Sequence, residues 1–307
     1  MKQIWTVAKK EFKTAFKDEI FIAITLLFIL LSILSVYIGS STKHAELKAY
    51  SDIIDLLKSQ GSKAFPPKPE IFPLAILKNI ITYVSIIGAM LAIFLGFDTF
   101  TSEKENGTLK LLLSKPIYRD QLLTGKIIGG ALVIGAVLFV TLIFNMLLYS
   151  FASGVSTSVT DVSRLSIFML IAFCYMMSFY IATVFVSINT KARALGFMIM
   201  LIVWVGISFV LPQLATSQKA FAYSLNSTAQ TVSQLPSDTT VSKAIEIFSP
   251  TVHFENIGGA LLQTSTETAK LSILNILQSY SLTFLYMLFP GILMLFACYK
   301  TFLREDG

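Results

Sequence analysis

The chain has 307 residues, of which 54% are hydrophobic and only 14% charged, and its mean hydropathy is +0.72. A soluble globular domain is about a quarter charged, so this composition excludes an ordinary soluble fold and points to a polytopic membrane protein. The formal net charge of +6 sits on Lys and Arg flanking apolar runs, which assigns it to membrane topology and not to nucleic acid.

Residues 3–17 open the chain. Trp5, Ala8, Phe12 and Phe16 recur at helical spacing, and Lys9, Lys10, Lys13 and Lys17 fill much of the remaining surface. The pattern predicts an amphipathic helix at the lipid headgroups, apolar face down and lysines toward anionic lipid. Asp18 and Glu19 separate it from the run 20–39. That run exceeds the about 7–15 apolar residues of a signal peptide, so no cleaved leader is expected.

Six spans follow from hydropathy: 20–39, 78–98, 126–150, 165–188, 195–214 and 279–298. Each has the roughly 20 apolar residues that a crossing helix needs. The runs are too long and too unalternating for barrel strands. An all-α membrane protein is therefore expected, as a single domain over 1–307. With both termini inside, 14 of the 24 Lys and Arg lie in the shorter inner segments, and Lys191 and Arg193 mark one tight inner turn. The segments 40–77 and 215–278 then lie outside. The first contains Leu47, Tyr50, Ile54 and Leu57 at helical spacing, followed by the extended Phe65-Pro-Pro-Lys-Pro. The second reads as a flexible Ser/Thr/Gln-rich loop, then short helices resting on the outer leaflet.

Small residues recur within the spans. Gly88, Ala92 and Gly96, then Gly125, Gly129, Gly130 and Gly135, predict close helix packing inside one chain. Pro290-Gly291 predicts a kink. Asn145, Tyr175, Ser178, Tyr180 and Thr183 either face a substrate path or hydrogen-bond between helices. Cys174 and Cys298 lack metal-ligand spacing and read as buried free thiols. His253 reads as a surface histidine.

The most informative segment is the inner loop 99–125. Ser102 and Glu105 fit a capping box, which predicts a short helix starting near Glu103. Leu109, Leu112 and Leu113 then form an apolar patch, Gly107 permits a bend, and Pro116 ends the element. Such a knob faces either headgroups or a partner protein. The loop resembles the signature loop of NosY-like ABC-2-type transporter permeases. The resemblance rests on Glu103, Gly107, Thr108, Leu109, Leu112, Leu113, Pro116, Arg119, Gly125 and Lys126. It implies a coupling helix that docks on a separate ABC ATP-binding subunit through Glu103, Glu105, Gly107, Thr108, Leu109, Leu112, Leu113, Pro116 and Arg119. It also implies that residues 3–17 are the elbow helix, with Trp5, Phe12 and Phe16 interfacial, that a second permease chain is present, and that transport is outward.

No phosphate loop of the form Gly-x-x-x-x-Gly-Lys-Ser/Thr is present, so ATP and Mg are expected on the partner. No catalytic or metal-ligating constellation is present either, and no enzymatic activity or cofactor of its own is expected. The spans lack titratable groups away from their ends, which favours an external energy source over an ion gradient. The expected protein is the permease subunit of an ATP-driven exporter in the plasma membrane. The alternative is an ATP-independent carrier or a membrane anchor.

Overall fold

The computed structural model describes residues 2–61, 65–67, 72–105, 107–108, 118–153, 158–190, 193–226 and 231–304. In chain order the helices begin with α1 (Lys2–Ala15), α2 (Glu19–Ser59) and α3 (Pro73–Glu105), followed by α4 (Arg119–Phe151), α5 (Val159–Asn189) and α6 (Leu195–Ser217). A hairpin follows, of β1 (Ala220–Asn226) and β2 (Thr231–Ser237). Four short helices come next: α7 (Thr240–Glu246), α8 (Pro250–Leu261), α9 (Thr266–Ala269) and α10 (Ile273–Ser279). The last is α11 (Ser281–Arg304). Among the described residues, six helices, α2 to α6 and α11, are long and apolar enough to cross a membrane. They contain five of the six predicted spans, and the sixth, 279–298, apart from its first two residues.

Several helices overrun the spans that hydropathy marks. α2 has 41 residues, about 60 Å at 1.5 Å per residue, and does not break at Gly39. Its start is fixed by Asp18, which accepts a hydrogen bond from the Phe21 amide at 2.8 Å. Gly39 lies where α2 crosses the first turn of α3, and a side chain there would strike the Ile76 carbonyl. The Pro-rich segment returns beside this helix, with Tyr50 donating to Pro66 O at 3.1 Å. α3 likewise continues through Ser102 to Glu105, so the predicted capping box is absent. Residues 99–105 contain no helix breaker, and the helix stops where Gly107 adopts φ +67°.

α3 and α5 are the most enclosed spans, and α6 and α11 the most exposed. The glycines do pack internally. A Cβ on Gly96 would lie 2.6 Å from Tyr180 O, and one on Gly291 2.6 Å from Ser178 Oγ. Pro290 lies inside α11, where it leaves one carbonyl without its helical partner. The five polar residues singled out in the spans each donate a hydrogen bond to another helix or to their own. Asn145 Nδ2 donates to Ser32 Oγ at 2.6 Å, Tyr175 to Ser85 O at 2.9 Å, and Tyr180 to Lys126 O at 3.0 Å. Ser178 and Thr183 donate to the carbonyls of Cys174 and Phe179. Both cysteines are free thiols, Cys298 buried and Cys174 half-buried.

The segment after α6 departs from the sequence reading. An antiparallel hairpin pairs Ala220 with Ser237 and Asn226 with Thr231 where a flexible loop was expected. At its foot, Lys219 bridges Asp238 at 3.0 Å and Glu246 at 3.3 Å. The hydrogen bond to Asp238 is the main cause of a Lys219 pKa raised above the ordinary lysine value. The short helices are present, but α8 does not rest on a surface. Its start lies deep in the bundle, where Ser249 Oγ donates to Ile207 O at 2.8 Å and Thr251 Oγ1 lies 3.1 Å from Tyr175 OH. Tyr175 stands near the middle of α5, and its ring stacks on Phe254 at 4.5 Å. The end of α8 is held by Arg164, which donates to the carbonyls of Leu261 and Leu271. α8 therefore runs antiparallel to the first half of α5, inside the spans. His253 is correspondingly buried, with Nε2 3.2 Å from Ile247 O and its ring against Tyr286. Among the described residues, no group of three or more His, Cys, Asp or Glu is placed to hold a metal.

Candidate functional site

α1 lies across the start of α4. Small residues make that contact possible: a Cβ on Gly125 would meet Val7 Cβ at 2.7 Å, and one on Gly129 would meet Glu11 Cβ at 2.6 Å. Val7, Ala8 and Ala15 are buried. The predicted apolar face is thus divided. Ala8 and Phe12 pack inward, while Trp5 is 59% exposed and Phe16 40%. Phe12, Phe16 and Phe21 form a ring chain with centroids 5.1 and 5.9 Å apart, joining α1 to α2. The lysines Lys9, Lys13 and Lys17 are exposed.

The same contact closes over a charged node. Lys126, on the first turns of α4, is only 1% exposed. Its Nζ lies 3.0 Å from Glu11 Oε1 of α1, 3.0 Å from Glu103 Oε2 of α3 and 2.6 Å from Thr99 O. The Glu103 contact is ion-pairing in distance but off the hydrogen-bonding direction. The ammonium also sits 5.0 Å from the Phe100 ring centre. Glu103 takes a second cation, Lys10 of α1, at 2.7 Å. Burial pulls the Lys10 pKa down, but the hydrogen bond to Glu103 and the charges of Glu103 and Glu11 outweigh it, so the value is raised. The pair therefore stabilises fully below lysine's ordinary pKa of about 10.4 and fades only as pH rises past the raised value.

Lys104 extends the node to α5. Its Nζ donates to Ser187 O at 2.8 Å, to Ile188 O and to Thr190 O at 3.2 Å. A cation at these terminal carbonyls is favoured by the helix dipole. Thr101 Oγ1 and Ser187 Oγ lie 3.0 Å apart beside it. Four helices, α1, α3, α4 and α5, are thereby fastened at one end of the bundle.

The predicted docking residues divide around this node. Glu103 is buried inside it. Glu105, Gly107 and Thr108 are exposed just beyond, and Thr108 Oγ1 donates to Glu103 O at 3.3 Å. Arg119 is the first residue of α4 and half-exposed. Leu109, Leu112, Leu113 and Pro116 lie outside the described residues. Sequence reasoning missed Lys10 and Lys126 as partners of Glu103, and Glu11 and Lys104 as further members of the node. The available signal was Glu11, the one acidic residue within α1, three and four positions from Ala8 and Ala15 on the buried face.

The comparisons with known proteins agree with this architecture. Residues 5–307 match the family described as ABC-2 family transporter protein. Two curated relatives are similar over 129 residues, 42% of this chain. One, from Pseudomonas aeruginosa, is 30% identical, and the other, from Stutzerimonas stutzeri, is 27% identical; each is named "Probable ABC transporter permease protein NosY". The matched region spans 39% of the length of each relative. With a family match over nearly its whole length and six apolar helices, the chain belongs to the ABC-2 family of multi-pass membrane transporter proteins.

Proposed function

We propose that this chain is the permease subunit of an ATP-driven exporter and takes its power from a separate ABC ATP-binding subunit, which binds ATP and Mg. Two permease chains, identical or related, would assemble with two ATPase chains in the plasma membrane. The observation that carries this reading is the node. α3 and α4 run beyond the predicted spans 78–98 and 126–150, and the helix ends that lead into the segment between them are tied to α1 through Glu103 and Lys126. A push on that segment is thus delivered to three helices together. In this reading Glu105, Gly107, Thr108, Leu109, Leu112, Leu113, Pro116 and Arg119 form the docking surface. Glu103 transmits the push from beneath and does not touch the partner.

The test is co-purification. Leu112→Asp combined with Leu113→Asp should abolish association with the ATPase subunit while the chain remains membrane-inserted and folded. Retained association would refute the docking assignment. A second reading, an ion-coupled carrier, gains one observation: α8 carries Glu255 in among the spans. Transport that survives ATP depletion but collapses with the ion gradient would favour it.

A further inference from the structure

We infer that Glu255, with the Ser85 hydroxyl beside it, is a recognition point for an organic cation in the transport pathway, on a wall that faces a second copy of this chain. The inference rests on the permease reading above and assigns its substrate class.

Depth comes first. Ser85 lies seven residues into α3 from Lys78, about 10 Å at 1.5 Å per residue. Glu255 lies six residues before Leu261, whose carbonyl meets Arg164 near the start of α5, which is about 9 Å by the same rise. Both measures place the carboxylate roughly a third of the way into a hydrocarbon layer of about 30 Å. The position is built, not incidental. α8 is held at one end by Ser249 and Tyr175 and at the other by Arg164.

Partners come second. Ser85 is buried, and its hydroxyl lies 3.0 Å from Glu255 Oε1 and 3.0 Å from Thr82 O. One hydroxyl hydrogen is shared between two acceptors. A carboxylate offers about four lone-pair positions, so Glu255 keeps most of its capacity unused. Among the described residues, no Lys, Arg or His lies within ion-pairing distance of it.

Exposure comes third. Glu255, Asn256 and Thr82 are all exposed on the isolated chain. A carboxylate facing lipid at this depth is unfavourable. Ionisable groups inside a membrane therefore face a water-filled path or a partner. The face shared by α3 and α8 meets that requirement only when it is turned toward such a path. An acceptor-rich, cation-free carboxylate there selects a positively charged group with N–H donors, and the apolar spans around it favour a hydrophobic body on that ligand.

The experiment uses the full chain in nanodiscs of zwitterionic lipid, without ATPase, so it does not depend on the coupling proposal. The probes are monodansylcadaverine, a fluorescent primary ammonium, and its neutral N-acetyl derivative, each corrected for partition into empty nanodiscs. The expected result is binding of the ammonium about tenfold tighter than the neutral probe, a difference of about 1.4 kcal/mol. Glu255→Gln should erase that preference and Glu255→Asp should retain part of it, while Phe296→Ala, on the outward face of α11, should keep it. Thermal unfolding of each variant verifies folding. An equal affinity for both probes in the unsubstituted chain, or a preference that survives Glu255→Gln, overturns the proposal. Failure of ATPase co-purification would leave this result untouched.

Discussion

At the scale of single residues, Lys126 is the most consequential side chain in the protein. Its stem crosses the α1–α4 contact and its charge answers two carboxylates from two other helices. Lys126→Met removes the cation and leaves Glu11 and Glu103 facing each other with little water. Breaking one side of a buried pair costs about 3–5 kcal/mol. Lys10 still compensates part of Glu103, so the effect should fall near the lower end. The thermal midpoint in detergent should drop clearly for Lys126→Met, and adding Glu103→Gln should recover part of the loss, because the second change removes the orphaned charge. A single variant as stable as the parent would refute the node's structural role. The sequence displays Lys126 as a span boundary and Glu103 as a surface contact. Neither reading foresees the pair, because hydropathy registers where charges fall along the chain and not which helices fold back over them.

At the scale of elements, the six spans were legible because a crossing helix leaves an uninterrupted apolar run, and nothing else in the sequence imitates it. Their ends were not. Gly39 looks like a stop and serves instead as the point where α2 and α3 touch. Ser102 looks like a cap and lies inside a helix. The hairpin was obscured by Ser, Thr and Gln, although Phe221, Tyr223 and Leu225 alternate in a strand-like manner. α8 was the costliest misplacement. At 12 residues it is too short to be scored as a span, so the reading that the spans lack titratable groups away from their ends does not extend to Glu255, which α8 carries in among them. The insertion of α8 depends on Arg164, which satisfies the carbonyls of Leu261 and Leu271. Arg164→Met should therefore loosen the connection 262–272 and make it cleavable by protease added from the side of the membrane facing that end. Protection equal to that of the parent chain would show that α8 is held by its apolar face alone.

At the scale of the whole molecule, one end of the bundle is tied by charge and the other by backbone contact and capped carbonyls. Between them, α6 and α11 present large apolar side chains outward, with Ile202 and Phe296 at 68% and 73% exposure. Those faces suit lipid, whereas the polar face of α3 and α8 does not. The arrangement predicts a complex in which two copies of this chain meet across the α3–α8 face. Native mass spectrometry of the purified assembly should give two permease chains with two ATPase chains. Cysteines placed at Thr82 should cross-link between copies, while cysteines at Phe296 should not. A single permease copy, or the reverse cross-linking pattern, would contradict it.

The unbroken length of α2 has a mechanical corollary. The helix crosses α3 at Gly39, where no side chain fits, and 20 further residues extend beyond that contact to Ser59. That arm measures about 30 Å, so a tilt of roughly 10° at the crossing displaces its tip by about 5 Å. A probe attached at Ile53 or Leu56, both exposed, would magnify rearrangements too small to see at the membrane itself.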